Sequence, residues 1–307
     1  MRRRLSFLAG AWFLIAPAHA LDDLPGDLPS YLAAQGYKTL PLETLDQNRQ
    51  LLPAKINGQE VRLIVDTGCE HTELDRDRAF ELKLHVRETN MYGMSVGGRI
   101  HGSVGIAFLK SFTIGGDEIN GGQSIHILPK LSVIDPKCDG LFGYDLMHPN
   151  AFIIPVGAKS LWYKTTGAPA DGLDRYLLSL GYRPTALDYG KAGLQLQSHL
   201  NGQPMNVVVD CGAPHTAFNA DYVTKKCGLE IKPLPFTIHG VDGRQTKGFY
   251  FTTRDLFFGT MRVRPTQFTA CRAPIFEYSK FDVLLGYDFL AAHQAVIDLG
   301  QNVIWMR

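Results

Sequence analysis

The sequence predicts an all-β protein of two lobes produced by an internal duplication, with few short helices. Two stretches point there first, LIVDTGCEHTEL at residues 63–74 and VVVDCGAPHTAF at residues 207–218. Each is an apolar run rich in β-branched residues, the pattern of a buried strand, that stops at Asp-x-Gly and continues into His-Thr. The likeness extends to both sides: SYLAAQGYKTLPLETL from Ser30 runs opposite RYLLSLGYRPTALDY from Arg175, and CDGLFGYDLM from Cys138 opposite FDVLLGYDFL from Phe281. Between these landmarks lie short apolar or alternating runs separated by glycines, the spacing of strands in a sandwich or barrel.

The first twenty residues have the three parts of a secretory leader. Arg2, Arg3 and Arg4 precede an apolar stretch at residues 5–17, and Ala18-His19-Ala20 places small residues at the cleavage-determining positions. The apolar stretch is shorter than the roughly 20 residues that span a bilayer. Cleavage after Ala20 and an exported product, periplasmic or secreted, are expected. No membrane insertion is expected after the leader is removed, because no later apolar run is long enough.

The first lobe is assigned to residues 21–165. A helix is expected at Leu28–Ala34, then a hairpin turn at Asn57-Gly58 that leads into the strand carrying Asp66. Gly68 lets the chain bend sharply, which puts Asp66 at the tip of a strand-to-loop turn. A turn or two of helix should follow the loop, and another short helix should follow Gly143-Tyr144-Asp145. TTGAPADG, rich in Gly, Pro and small residues, marks a linker at residues 166–172. The second lobe, residues 173–307, repeats the order: a helix at 173–180, a turn at Asn201-Gly202, the loop of Asp210 and Gly212, and a helix after Gly286-Tyr287-Asp288.

Composition excludes some partners. With 31 basic and 30 acidic residues the chain lacks the charge to seek nucleic acid or an anionic membrane surface. The five cysteines, Cys69, Cys138, Cys211, Cys227 and Cys271, allow at most two disulfides. Cys227 with Cys271 is the favoured pair, and buried free thiols are the alternative.

Two Asp-Thr-Gly-type loops, a glycine-rich hairpin about 30 residues beyond the first, and the later Leu-Phe-Gly and Leu-Leu-Gly segments together resemble aspartic peptidases of the pepsin and retropepsin type. The nearest likeness is to bacterial exported enzymes that fuse two retropepsin-like units in one chain. The resemblance implies a two-lobed pepsin-like acid protease fold, each lobe a retropepsin-like β-barrel, and an aspartic endopeptidase acting on extended polypeptide. Asp66 and Asp210 would form the catalytic dyad, two carboxyls sharing one proton and activating a water. No cofactor and no metal are implied, and the lobes would pair within a monomer.

The same resemblance gives roles to neighbours. Thr67 would reach across to lock the two loops together; its counterpart, Cys211, departs from the family's Thr or Ser, and a thiol bonds more weakly than a hydroxyl. A looser lock on that side, or a peptidase-like protein that only binds peptide, follows as the rival reading. Cys69 and Ala213 stand where a hydroxyl could otherwise favour the charged dyad, so a pH optimum nearer neutral than pepsin's is expected. Residues 92–102 would be the flap over the substrate, with Gly97 and Gly98 at its tip and Tyr92 or Met94 facing the cleft. The copy at residues 240–248 is read as an ordinary hairpin, with a second flap as the alternative.

Other repeated polar residues are read as structural. His71 and His215 match no usual zinc spacing and are expected to hydrogen-bond beside Thr72 and Thr216. Asp145 and Asp288 look like caps or first-turn acids of the helices that follow Gly143 and Gly286. Asp139 and Asp282 repeat beside them.

Overall fold

The structure, a computed structural model, describes residues 28–45, 48–95, 97–129, 131, 136–190, 192–239 and 244–307. The leader assigned to residues 1–20 and the turn at residues 240–243 lie outside the described residues. The chain is mostly β, with two similar sheet-rich lobes as the duplication predicts.

Each lobe is built on a ten-stranded sheet. Its centre is the same in both. The strand that leads to the aspartate, Gln59–Val65 or Gln203–Val209, pairs in parallel with the later strand Gly140–Phe142 or Val283–Leu285. The strand leaving the loop, Glu73–Asp75 or Ala217–Asn219, lies antiparallel to that later strand. The Asn-Gly turns behave alike: φ is 51° and 81° at Asn57 and Gly58, and 51° and 75° at Asn201 and Gly202. Positive φ at both central positions is the tight hairpin turn whose twist matches a β-ribbon.

A third, six-stranded sheet joins the lobes. Lys38–Pro41, Ser160–Tyr163 and Ile153–Pro155 come from one half, and Val296–Asp298, Val303–Met306 and Arg183–Ala186 from the other. The halves meet where Ile153, Ile154 and Pro155 pair with Asp298, Ile297 and Val296. The predicted helices, Leu28–Ala34 and Leu173–Ser179, cover one face of it, burying Leu28, Leu32, Leu173 and Leu177 against Trp162 and Trp305. Tyr31 and Tyr176 stack at 4.7 Å between ring centres, so the two copies of this extension touch each other.

Several expectations change. The turn after the second Asp loop is a π-helix, Tyr222–Lys226, where the first lobe has the α-helix Arg76–Glu81. A further α-helix, Pro274–Ser279, has no predicted counterpart. The favoured Cys227–Cys271 bridge is absent: none of the five cysteines is in a disulfide among the described residues. Cys227 packs in the main core with its Sγ 3.5 Å from the Leu200 carbonyl, whereas Cys271 packs in a separate cluster with Phe276 and Phe281.

Candidate active site

The repeated polar residues turn out to hold the two Asp loops in place. Asp66 N–H donates to the Phe142 carbonyl at 3.1 Å and Asp210 N–H to the Leu285 carbonyl at 3.0 Å, which ties each loop to the parallel strand beside it. Asp145 Oδ1 accepts from both N–H and Oγ1 of Thr72 at 2.8 Å, and Asp288 Oδ1 does the same for Thr216 at 2.8 and 2.7 Å. A Cβ on Gly143 would lie 2.5 Å from the His71 backbone, and on Gly286 the same distance from His215. The chain therefore crosses itself there, and only glycine fits. Asp139 and Asp282 pin the incoming strands by accepting from Arg62 N–H at 2.7 Å and Asn206 N–H at 2.9 Å.

Across the lobe interface the loops interlock. Thr67 Oγ1 donates to the Val209 carbonyl at 2.9 Å and accepts from Cys211 N–H at 3.0 Å. In the mirror contact the Cys211 thiol donates to the Val65 carbonyl at 3.4 Å and accepts from Thr67 N–H. The thiol side of the lock is longer and weaker, but it is made in the same pattern as the hydroxyl side.

This interlock brings Asp66 and Asp210 together. A Cβ on Gly68 would come within 2.5 Å of the Asp210 carboxyl carbon, and one on Gly212 within 2.6 Å of that of Asp66. Each carboxyl thus sits on the glycine of the opposite loop, and the two are hydrogen-bonded to each other. Gly68 N–H donates to Asp66 Oδ1 at 2.9 Å and Ala213 N–H to Asp210 Oδ1 at 2.7 Å. Burial, the Asp210 charge and the hydrogen bond to Asp210 raise Asp66 well above the usual carboxylate range. Burial also raises Asp210, but N–H donors from Ala213 and Gly212, the bond from Asp66 and the charge of Arg49 pull against it. Both carboxyls are therefore raised, and the titration steps belong to the pair rather than to either residue.

The hairpin over the first lobe is two short strands, Met94–Ser95 and Gly98–Arg99, with Ser95 paired to Gly98. Gly98 therefore opens the return strand, at a φ of 101°, rather than sharing the predicted Gly97-Gly98 tip. Gly98 rests on Pro274 of the second lobe, and Arg244 donates to the Arg99 carbonyl, so the hairpin bridges the lobes. Tyr92 is half exposed and stacks on the Arg99 guanidinium at 4.0 Å, while Met94 is partly buried. A cavity of about 450 Å³ lies between this hairpin, Arg244, Pro274 and Tyr278, and neither aspartate lines it. The copy, Lys232–His239 with Gln245–Thr253, is longer and paired as far as His239 and Gln245. Arg244, next to that end, makes the contact with Arg99, so this hairpin also reaches across and is more than an isolated ribbon.

His71 and His215 face the aspartates that hold the threonines, with Nδ1 3.8 Å from Asp145 and 3.7 Å from Asp288. His71 hydrogen-bonds the Asp145 carboxylate beside Thr72, and it also packs on His126 at 4.1 Å. Among the described residues no group of His, Cys, Asp and Glu is arranged to hold a metal ion. The Cys69 thiol donates to the His71 carbonyl at 2.9 Å and contacts the Glu73 carboxyl. Glu73 and Arg49 are the charged neighbours of the dyad that sequence reasoning missed. The signal was a mismatch in the repeat, with Glu73 opposite Ala217 and Arg49 opposite Gly193.

Comparison with known proteins agrees with this architecture lobe by lobe. Residues 52–146 match the aspartyl protease family, and residues 196–292 match the gag-polyprotein aspartyl protease family. Each match contains one of the two Asp loops. A stretch of 109 residues, 34% of the chain, is 33% identical to the UBA domain-containing protein Mud1 of Schizosaccharomyces pombe. That stretch covers 30% of the yeast protein, so the chain spans less than a third of that relative's length.

Proposed function

We propose that this chain is an aspartic endopeptidase that hydrolyses peptide bonds in extended polypeptide, working as a monomer with Asp66 and Asp210 as its dyad. The observation that carries the reading is the meeting of two carboxyls, one from each aspartyl-protease-matched lobe, each seated on the other loop's glycine. In this reading Asp210 is the charged partner and takes a proton from a water, whose oxygen attacks the scissile carbonyl carbon. Asp66 gives its proton to the carbonyl oxygen, and a neutral tetrahedral diol results. Asp210 then passes its proton to the leaving nitrogen while a diol hydroxyl returns one to Asp66, which restores the starting state. Substrate main chain would lie beneath the hairpin at residues 92–102, whose glycines leave backbone groups open to strand-like pairing. The arginine-led leader supports work outside the cytoplasm, and among the described residues no helix is long and apolar enough to cross a membrane.

The test is incubation of the mature protein with a diverse peptide pool, with and without a pepstatin-type inhibitor, beside Asp66→Asn and Asp210→Asn. Inhibitor-sensitive cleavage that falls by about 10²–10⁴-fold in either variant is expected. Cleavage that survives either substitution removes the dyad from the mechanism. An intact pool with retained peptide binding favours the silent binding module instead.

A further inference from the structure

The charged lining of the cavity between the lobes is basic. Arg99 and His101 line it from the first-lobe hairpin, and Arg244 and Tyr278 from the second lobe. Its volume, about 450 Å³, lies in the range of pockets that enclose small ligands. Among the described residues no carboxylate lines it, and Glu277, the acid of the helix Pro274–Ser279, stays outside the lining.

Both arginines are held in place. Arg99 lays its guanidinium over the Tyr92 ring at 4.0 Å, a contact that occupies one face of the plane and leaves the N–H edge to bond. Among the described residues Arg99 makes no ion pair. Arg244 donates from Nη2 to the Arg99 carbonyl, and its Nη1 stands 4.0 Å from where a Gly98 Cβ would be. Gly98 in turn rests on Pro274, a Cβ there falling 3.3 Å from the proline Cβ. The contact that joins the hairpin to the second lobe thus puts two guanidinium groups on the wall of one cavity. Like charges repel there, and an anion between them is attracted by both. The planar fork of arginine meets a carboxylate with two parallel N–H donors, and the Tyr278 hydroxyl is a further donor. A basic side chain meets only like charge.

We propose that this cavity receives an acidic side chain, Asp or Glu, of the bound polypeptide, with Arg99 and Arg244 as specificity-determining residues. The inference rests on the peptidase reading above and names its substrate class: extended polypeptide with an acid near the cut bond. An extended chain beneath the hairpin points successive side chains to opposite faces. One directed to the junction with Pro274 enters among the bases, and its carboxylate bridges the two lobes.

The test is cleavage of peptide sets that differ only in Glu, Gln or Lys at each position flanking the cut bond. A Glu-over-Gln preference of about tenfold in kcat/KM is expected at one position, with Lys worst, the size of a charge-assisted hydrogen bond in a partly exposed site. The preference lies in KM and shrinks as salt rises. Arg99→Gln, with a thermal melt to confirm folding, removes most of it, and Arg99→Glu turns it toward Lys. A merely structural role in the hairpin would slow all three peptides alike and leave their ratio unmoved, which overturns the inference. So does a preference abolished by amidating the peptide's C-terminus, because the carboxylate bound is then the terminal one. Anisotropy of the labelled Glu, Gln and Lys peptides on the full-length Asp210→Asn variant reads the same discrimination without turnover. Equal affinity for the three defeats this inference, whereas tighter binding of the Glu peptide by a wild type that cuts none defeats the peptidase reading alone.

Discussion

In the first lobe the hairpin that starts at Val86–Glu88 and returns at Gly105–Phe108 loses its regular pairing midway and folds over as the small ribbon Met94–Ser95 with Gly98–Arg99. In the second lobe the matching hairpin, Lys232–His239 with Gln245–Thr253, runs on as one paired ribbon interrupted by a single bulge region. Beneath these unlike hairpins the two loops agree closely: Thr72 and Thr216, Asp145 and Asp288, Gly143 and Gly286 make the same contacts, with Oγ1–Oδ1 distances of 2.8 and 2.7 Å. The difference teaches what the duplication was free to change. Positions where backbone crosses backbone have kept their residue type, because any other residue collides or leaves a buried group unbonded. Positions that face the cleft have diverged, and so have the charges beside the two aspartates.

The harshest way to break the agreement is to put a methyl where the lobes touch. Gly68→Ala places a Cβ 2.5 Å from the Asp210 carboxyl carbon, and Gly212→Ala one 2.6 Å from that of Asp66. The obstructing atoms belong to the dyad and to short, tethered side chains, so relief requires the loops to part. Either variant is expected to lose at least about 100-fold in kcat/KM, since displacement of reacting groups by about 1 Å costs that much. Kinetics on a fluorogenic peptide checks this. Unchanged rates in both variants would mean that the carboxyls do not act as a touching pair.

A milder comparison sets Thr67 against Cys211. Thr67→Ala leaves the Val209 carbonyl and the Cys211 N–H without their side-chain partner in a buried interface, at a cost of about 2–4 kcal/mol. Cys211→Ala removes a sulfur contact of 3.4 Å and should cost about 1 kcal/mol. Cys211→Thr, which makes the two sides alike, is expected to be neutral or stabilising. Urea unfolding of the three variants orders them, and equal losses for Thr67→Ala and Cys211→Ala would show that the thiol bonds as strongly as the hydroxyl.

The part of the site that was legible in the sequence is the part built from backbone crossings. Gly143, Thr72 and Asp145 could be paired with Gly286, Thr216 and Asp288 before any coordinates because each answers a local steric or hydrogen-bonding demand that the duplication states twice. The bridging sheet was not legible. Ile153, Ile154 and Pro155 pair with a strand more than a hundred residues away, and an apolar run says nothing about which distant run it will meet. The helix Pro274–Ser279 was missed because its opening proline reads as a loop breaker, although proline also suits a first helical turn. Glu73 was missed because a charged residue in an alternating strand ordinarily marks the solvent face, and here it shares the face of Leu141, which packs with Leu51 and Ile64.

The last contrast lies in the bridging sheet, where Asp298 occupies the position in the repeat that Pro155 holds in the first lobe. Asp298 has no solvent exposure, and Gln301 N–H donates to its Oδ1 at 3.2 Å. Its Oδ2 is buried without a hydrogen-bond partner among the described residues. Burial pushes this carboxyl up to about 6 from an ordinary 3.8. Between those values the folded protein holds a proton that the unfolded chain has released, so this residue's contribution to stability falls as pH rises from about 4 to about 6 and stays low above that. The size is on the order of 2–3 kcal/mol, from roughly two units of displacement. Asp66 and Asp210 are raised too and give a slope of the same sign, so the whole protein's pH dependence cannot isolate Asp298. The difference between wild type and Asp298→Asn can. The amide oxygen still accepts from the turn, while the charge that costs stability near pH 7 is gone. Asp298→Asn is therefore expected to unfold at higher urea than the wild type at pH 7.5, by about 1–2 kcal/mol, and to lose that advantage at pH 4.5. A destabilisation of equal size at both pH values would show that the carboxylate is not buried as a charge, and that the two central strands of the bridging sheet tolerate Asp and Pro for reasons of shape alone.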